Sequence, residues 1–260
     1  MQQNKNRKTL LVVLAHPDHR SFNGSWAAST VSAAEALGME VLFSDLCSMG
    51  FDAVECVSHY PAFPNEQVFD PLKAQEDYAN REALPDMVAG EIAKLEAADW
   101  IIFHFPLWWF APPAILKGWF DRVLVHGKLH TVDKRFDNGL FQGKKALFCV
   151  TTGASETECA FNGKEGDAAM LLWPVAYTLR YLGLTVLEHK LVHGVHGYYE
   201  GDEKAQLESR LLTVLKQQAG LLETFDSRPC LKFNTNSDFD ANGKLKQSSP
   251  ELSYFIRHSL

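Results

Sequence analysis

The sequence contains no strongly basic stretch and no long hydrophobic run. Its 260 residues carry a formal net charge of −7, so we expect neither nucleic acid nor an anionic membrane surface as a partner. The apolar run at residues 9–15 is far too short to span a bilayer or to serve as the hydrophobic region of a signal peptide. These absences predict a cytoplasmic protein without a transmembrane segment.

Paired cysteines and the common nucleotide fingerprints are absent as well. The five cysteines are widely spaced and form no CxxC pair, so we expect no disulfide framework and no metal site. His193 and His196 lack the neighbouring carboxylates of known metal sites. The sequence has no GxGxxG segment and no P-loop lysine after the first predicted strand, which disfavours a Rossmann NAD site and a P-loop.

The sequence does contain an alternation of strand and helix signals. Apolar, β-rich runs predict buried parallel strands at 9–15, 41–43, 100–105, 146–151 and 185–192. Helical spacing predicts helices at 23–37, 86–98, 114–123, 167–182 and 202–225, with a helical turn near 72–78 inside a long polar excursion. Right-handed crossovers make this alternation an α/β, doubly wound parallel sheet with helices on both faces. We expect one domain at 1–225, and a polar C-terminal extension at 226–260 that packs on the domain or on a second subunit.

Three segments that follow predicted strands carry chemistry. After the first strand, Ser21 and Asn23 can add side-chain donors to a helix N-terminus, which favours a phosphate, and His16 can add an imidazole N–H. After the third strand, the aromatic residues 108–110 lie in a proline-bounded loop on the ligand side of the sheet. A flat ring explains such a loop, because backbone N–H groups of residues 107–110 can bind a heterocycle edge while Trp109 and Phe110 form an apolar wall.

The segment after the fourth strand supplies two hydroxyl groups and a glycine. Thr151, Thr152 and Gly153 are suited to contact with the polar edge of a ring, because glycine lets the backbone pass close to a ligand. The carboxyl ends of parallel strands meet at one edge of the sheet. We therefore expect the three segments to form one site.

The ordered set of motifs resembles the NAD(P)H:quinone oxidoreductase family, which includes DT-diaphorase and belongs to the flavodoxin-like flavoproteins. The motifs are His-Pro at 16–17 with Ser-Phe-Asn-Gly at 21–24, Phe-Pro-Leu at 105–107 with Trp-Phe at 109–110, Pro-Ala-Ile-Leu-Lys-Gly-Trp-Phe at 113–120, Thr-Thr-Gly at 151–153 and Leu-Trp-Pro at 172–174. The resemblance implies a flavodoxin-like fold and a homodimer with FAD in each site. It also implies a two-electron ping-pong transfer of hydride from NAD(P)H through FAD to quinones.

The resemblance also assigns residues by position. FAD is expected to contact His16, Ser21, Phe22, Asn23, Pro106, Leu107, Trp108, Trp109, Phe110, Thr151, Thr152, Gly153, Ala154 and, at its adenine end, Lys204. The substrate pocket is expected to contain Phe110, His130, Val132 and Tyr181. The catalytic positions are expected to be Trp109, Cys159 and Glu165.

Two of these positions depart from the family pattern. Relatives carry a tyrosine and a histidine that relay charge from the flavin, whereas this chain has Cys159 and Glu165. A carboxylate at that place opposes negative charge on the reduced cofactor. Two alternatives stay open: an FMN-dependent azo or nitro reductase of the same fold, and a regulatory flavoprotein subunit of a potassium-efflux transporter with weak activity. The choice between NADH and NADPH and the physiological acceptor stay open too.

Overall fold

A parallel β-sheet forms the centre of the computed structural model, which describes residues 7–64 and 67–259. The strands are β1 (Thr9–Leu14), β2 (Glu40–Asp45), β3 (Trp100–Pro106), β4 (Lys145–Thr151), β5 (Thr185–Val186) and β6 (Lys190–Val192). The helices are α1 (Phe22–Ala36), α2 (Pro71–Asn80), α3 (Asp86–Ala97), α4 (Ala114–Val123), α5 (Ala168–Tyr181), α6 (Gly201–Lys216) and α7 (Gln218–Glu223). The sheet order is β2-β1-β3-β4-β5, with β6 also paired to β4, which is the flavodoxin-like order.

The side chains of the central strands alternate between two hydrophobic cores. Leu11 and Phe103 face a core made with α3, α4 and α5. Leu10 and Ile102 face the opposite core, made with α1 and α7. Because side chains along a strand alternate between its two faces, this double burial requires helices on both faces. The predicted doubly wound α/β sheet is confirmed.

Two predicted elements are interrupted in the structure. The strand expected at 185–192 is split into β5 and β6, because the N–H of Glu188 donates to Pro229 O at 2.9 Å instead of pairing with β4. The helix expected at 202–225 is split into α6 and α7. Gln218, at the break, turns its side chain inward and accepts a hydrogen bond from the buried Thr30 hydroxyl at 3.0 Å.

The C-terminal extension lies along the edge of the sheet and on α5. The N–H of Leu231 donates to Val186 O at 2.9 Å, and this pairing covers the outer edge of β5. The Phe255 ring stacks on Trp173 of α5 with ring centres 4.6 Å apart. Of the helices in the described ranges, none has the length and apolar character needed to cross a membrane.

Candidate functional site

The three segments singled out in the sequence follow β1, β3 and β4, which are adjacent in the sheet. All three strands run in the same direction. Their carboxyl ends therefore meet at one edge, where open α/β sheets bind ligands. The loop after β6 reaches the same edge because β6 is also parallel to β4.

The loop after β1 covers the N-terminus of α1. The Ser21 hydroxyl caps this helix by accepting the Gly24 N–H at 3.1 Å. The first-turn N–H groups of Phe22 and Asn23 have no acceptor within residues 7–64 and 67–259. Free N–H groups at the positive end of a helix are suited to a phosphate.

Asn23 joins this loop to the end of β4. Its side chain is buried, and Nδ2 donates to the Thr151 hydroxyl at 2.9 Å. The Oδ1 atom of the same amide is buried and has no partner in the described chain. Because a buried acceptor without a partner costs free energy, a ligand donor at this place would stabilise the site.

The aromatic loop makes a tight two-residue turn. Trp108 and Ala111 exchange backbone hydrogen bonds of 2.9 and 3.1 Å. Between them, Trp109 and Phe110 have φ values of 49° and 63°. Residues other than glycine rarely adopt this left-handed backbone conformation, and such strain is concentrated at functional sites. Trp109 is 94% exposed, so its large apolar surface is available to a ligand or a partner.

Only part of the backbone of this loop is free to bind a ligand. The Leu107 N–H donates to Thr151 O at 2.8 Å, and the Trp108 N–H donates to Ala111 O. The N–H groups of Trp109 and Phe110 have no acceptor in the described part of the chain. Of the four N–H groups expected to face a heterocycle, two are therefore used by the protein itself.

Two adjoining cavities lie between the loops. The first, of about 510 Å³, is lined by Pro106, Leu107, Trp108, Trp109, Thr151, Gly153 and Val195. The second, of about 220 Å³, is lined by Leu107, Trp109, Phe110, Thr152, Gly153, Ala154, Cys159, Glu165 and Leu171. Leu107, Trp109 and Gly153 border both, so the two cavities adjoin at these residues.

Cys159 and Glu165 reach the second cavity because their loop folds back on itself. The Glu165 N–H donates to Glu158 O, and the Ala168 N–H donates to Cys159 O, both at 3.0 Å. Cys159 is buried. Within the described residues, neither the Cys159 thiol nor the Glu165 carboxylate makes a side-chain hydrogen bond. Both groups therefore border the site.

The other expected pocket residues lie elsewhere in the chain. His130 and Tyr181 line a separate cavity of about 320 Å³, with ring centres 5.2 Å apart. Burial, and then the neighbouring His126, lower the pKa of His130. Val132 lines a third region, a cavity of about 510 Å³ formed with the C-terminal extension. A single chain therefore does not bring these three residues next to Phe110.

Lys204 lies on α6, and the loop after β6 borders the site. Lys204 is exposed on α6, with Nζ 3.9 Å from a Glu208 carboxylate oxygen. Three residues at the site are not predicted from the sequence: Leu171 of α5 lines the second cavity, Val195 lines the first cavity, and the His193 ring contacts the Thr152 hydroxyl at 2.9 Å. For His193 and Val195, the position directly after the last predicted strand is the signal that could have identified them.

These residues fit a flavin. The first cavity combines a tryptophan-rich wall with the threonine and glycine of the β4 loop, as expected for a flat ring with one polar edge. The orphaned Asn23 Oδ1 and the free N–H groups of the α1 N-terminus add an acceptor and phosphate donors. The fold and the cavities define an α/β protein with a candidate ligand site at the point where the strand order reverses.

Comparison with known proteins agrees with this class. Residues 8–216 match the Flavodoxin-like fold family. NAD(P)H dehydrogenase [quinone] 1 of Rattus norvegicus is 40% identical over 235 residues, which are 89% of this chain and 82% of the rat protein. Ribosyldihydronicotinamide dehydrogenase [quinone] of Mus musculus is 36% identical over 217 residues, which are 81% of this chain and 94% of the mouse protein.

A solved structure of a Klebsiella pneumoniae protein, assigned as a quinone reductase, superposes with a TM-score of 0.79. It is 27% identical in sequence, and the match covers 92% of this chain and 94% of that protein. The chain therefore belongs to the flavodoxin-like family and, within it, to the family of the NAD(P)H quinone dehydrogenases. The expected family resemblance is confirmed.

Proposed function

We propose that this chain is an FAD-dependent NAD(P)H:quinone oxidoreductase. The observation that carries the proposal is the pair of adjoining cavities at the ends of β3 and β4, where an aromatic wall faces free backbone donors. The names of the rat and mouse relatives supply the reaction, which is dehydrogenation of a reduced nicotinamide with a quinone as acceptor. A bound flavin would supply the two-electron chemistry between donor and acceptor.

The residues of this chain bind and orient the cofactor and the substrates. The α1 N-terminus, with Ser21 as its cap, binds the phosphates, while Thr151 and Gly153 contact the polar edge of the ring. Trp109 and Phe110 provide the apolar surface on which a flat nicotinamide or quinone stacks. Because donor and acceptor are both flat rings, they can occupy one stacking position in turn, as a ping-pong order requires.

We propose that the functional unit is a homodimer. His130, Tyr181 and Val132 line cavities apart from Phe110 in one chain. A second copy would supply them to the stacking position. The five cysteines are all free thiols, which supports a reducing compartment and, as we propose, the cytoplasm.

The first experiment identifies the cofactor. The purified protein is reconstituted with FAD and, separately, with FMN, and the affinity of each is measured by quenching of flavin fluorescence. The proposal predicts at least ten-fold tighter binding of FAD, because its second phosphate and adenine add contacts. Preferential binding of FMN would favour the azo or nitro reductase alternative. FAD binding without reduction by NAD(P)H would favour the regulatory flavoprotein.

A further inference from the structure

The loop that carries Thr152, Gly153 and Ala154 is held by the loop that follows β6. The Thr152 N–H donates to Val192 O at 3.1 Å, and the Val195 N–H donates back to Thr152 O at 2.9 Å. The Gly194 N–H donates to Ala154 O at 2.8 Å. These bonds fix the path of the main chain at the polar side of the site.

A side-chain hydrogen bond from His193 completes this link. The Thr152 hydroxyl donates to Ala154 O at 2.9 Å and lies 2.9 Å from His193 Nδ1. A hydroxyl has one hydrogen, and a carbonyl oxygen can only accept, so Nδ1 must be the donor in the second bond. The hydrogen-bond network thus assigns the Nδ1–H tautomer to His193.

The same bond persists when the ring gains a proton, because Nδ1 carries hydrogen in both states. Burial lowers the pKa of His193, while Glu156 acts to raise it and Arg210 to lower it. Arg210 also donates to His193 O at 2.7 Å, so that α6 holds the backbone of this residue. His193 is therefore a fixed donor over the working pH range.

The link leaves two donors aimed away from the protein's own acceptors. The N–H groups of Gly153 and Ala154 have no acceptor within the described ranges, and both residues line the second cavity. That lining has no lysine or arginine, and its ionisable groups are Cys159 and Glu165. Within the loop after β4, donation to an electron-rich ligand edge therefore comes from the N–H groups of Gly153 and Ala154, and the Thr152 hydroxyl helps to hold this turn through its bond to Ala154 O.

We propose that His193 is a positioning residue of the flavin site. Its Nδ1–H fixes the Thr152 hydroxyl, and through it the turn that presents the N–H groups of Gly153 and Ala154 to the polar edge of the ring. The proposal rests on the proposed function for the identity of the ligand. The hydrogen bond itself belongs to the chain alone and can be tested without flavin.

The test uses pairs of matched variants. His193→Asn keeps an amide donor near the place of Nδ1, whereas His193→Phe keeps the bulk of the ring and removes the donor. Thr152→Ser keeps the hydroxyl, and Thr152→Val removes it. Three properties are measured: the tautomer of His193 by ¹⁵N NMR of the flavin-free protein, flavin affinity by fluorescence quenching, and the midpoint potential of the bound flavin.

We expect the Nδ1–H tautomer of His193 in the wild-type protein. In Thr152→Val, where the hydroxyl that accepts this hydrogen is gone, we expect His193 no longer to be restricted to the Nδ1–H tautomer. His193→Phe should bind oxidised flavin about three-fold more weakly than the wild type does. Its loss of affinity for reduced flavin should be about ten-fold larger than this loss, which lowers the two-electron midpoint potential by about 30 mV. His193→Asn and Thr152→Ser should recover most of both effects. The double variant His193→Phe/Thr152→Val should be no worse than either single variant, because the two residues act through one bond.

Three outcomes would overturn the proposal. The first is an Nε2–H tautomer of His193 in the wild-type protein. The second is an unchanged flavin midpoint potential in His193→Phe, with only a lower melting temperature. The third is losses of flavin affinity that add up in the double variant. If the wild-type protein bound no flavin, the proposed function would fail. The NMR result would still decide whether the hydrogen bond exists, so the two failures are distinguishable.

Discussion

Replacement of Gly24 by alanine tests how the first loop is held over α1. A Cβ atom at Gly24 would lie 2.1 Å from the backbone oxygen of His19, about 1 Å closer than Cβ contacts allow. The neighbour is backbone, so the loop from His16 to Ser21 must move. Alanine in a helix gains about 1 kcal/mol over glycine, while the overlap costs about 1–3 kcal/mol. We expect a net loss of about 1 kcal/mol.

Gly90→Ala is the matched control. Gly90 is also helical, lies exposed on α3, and has open space where its Cβ would be. This variant should gain about 0.5–1 kcal/mol. Urea unfolding of both variants measures the difference, which we expect to be about 2 kcal/mol.

The same change should affect the cofactor. A shift of about 1 Å in the loop misplaces the Ser21 cap and the N–H groups of the first turn, so FAD should bind at least ten-fold more weakly to Gly24→Ala. Gly90→Ala should bind FAD like the wild type. If Gly24→Ala were as stable as Gly90→Ala and bound FAD normally, the close approach of the loop would not position the phosphate site.

Three further predictions concern buried polar groups. Asn23→Ala removes the bond to Thr151 and should cost about 1 kcal/mol in urea unfolding and weaken FAD binding; an unchanged affinity would contradict a role at the site. The buried Glu91 carboxylate lies 2.6 Å from Lys94 Nζ. Lys94→Met removes this cation and should lower the free energy of unfolding by about 3 kcal/mol. A loss below about 1 kcal/mol would show that solvent replaces the ion pair. Burial lowers the pKa of His104 from 6.5 to about 3. The unfolded chain therefore binds a proton first, and stability should fall by up to about 1.4 kcal/mol per pH unit as the pH drops between these values; His104→Gln should reduce that slope in urea unfolding across the pH range.

The sheet and the three loops could be predicted from the sequence because each signal is local. A continuous apolar run such as residues 9–15 is typical of a strand buried on both faces, and parallel strands place their following loops at one edge. The position of the aromatic loop follows from this geometry alone.

Other features depend on contacts between distant segments. The last strand is interrupted because the extension pairs with it at Pro229, and nothing in residues 185–192 signals that competition. The left-handed turn at Trp109 and Phe110 is also hidden, since large aromatic residues rarely adopt it. The role of His193 is hidden as well, because its bond to Thr152 joins segments that are distant in sequence.

Anaerobic stopped-flow absorbance of the FAD-reconstituted protein tests the central claim most directly. The protein is mixed with NADH or NADPH, and then with menadione as a quinone. The account predicts that the flavin band bleaches with one or both donors and recovers at a rate that depends on the quinone concentration. Tight FAD binding with no bleaching by either donor would contradict it.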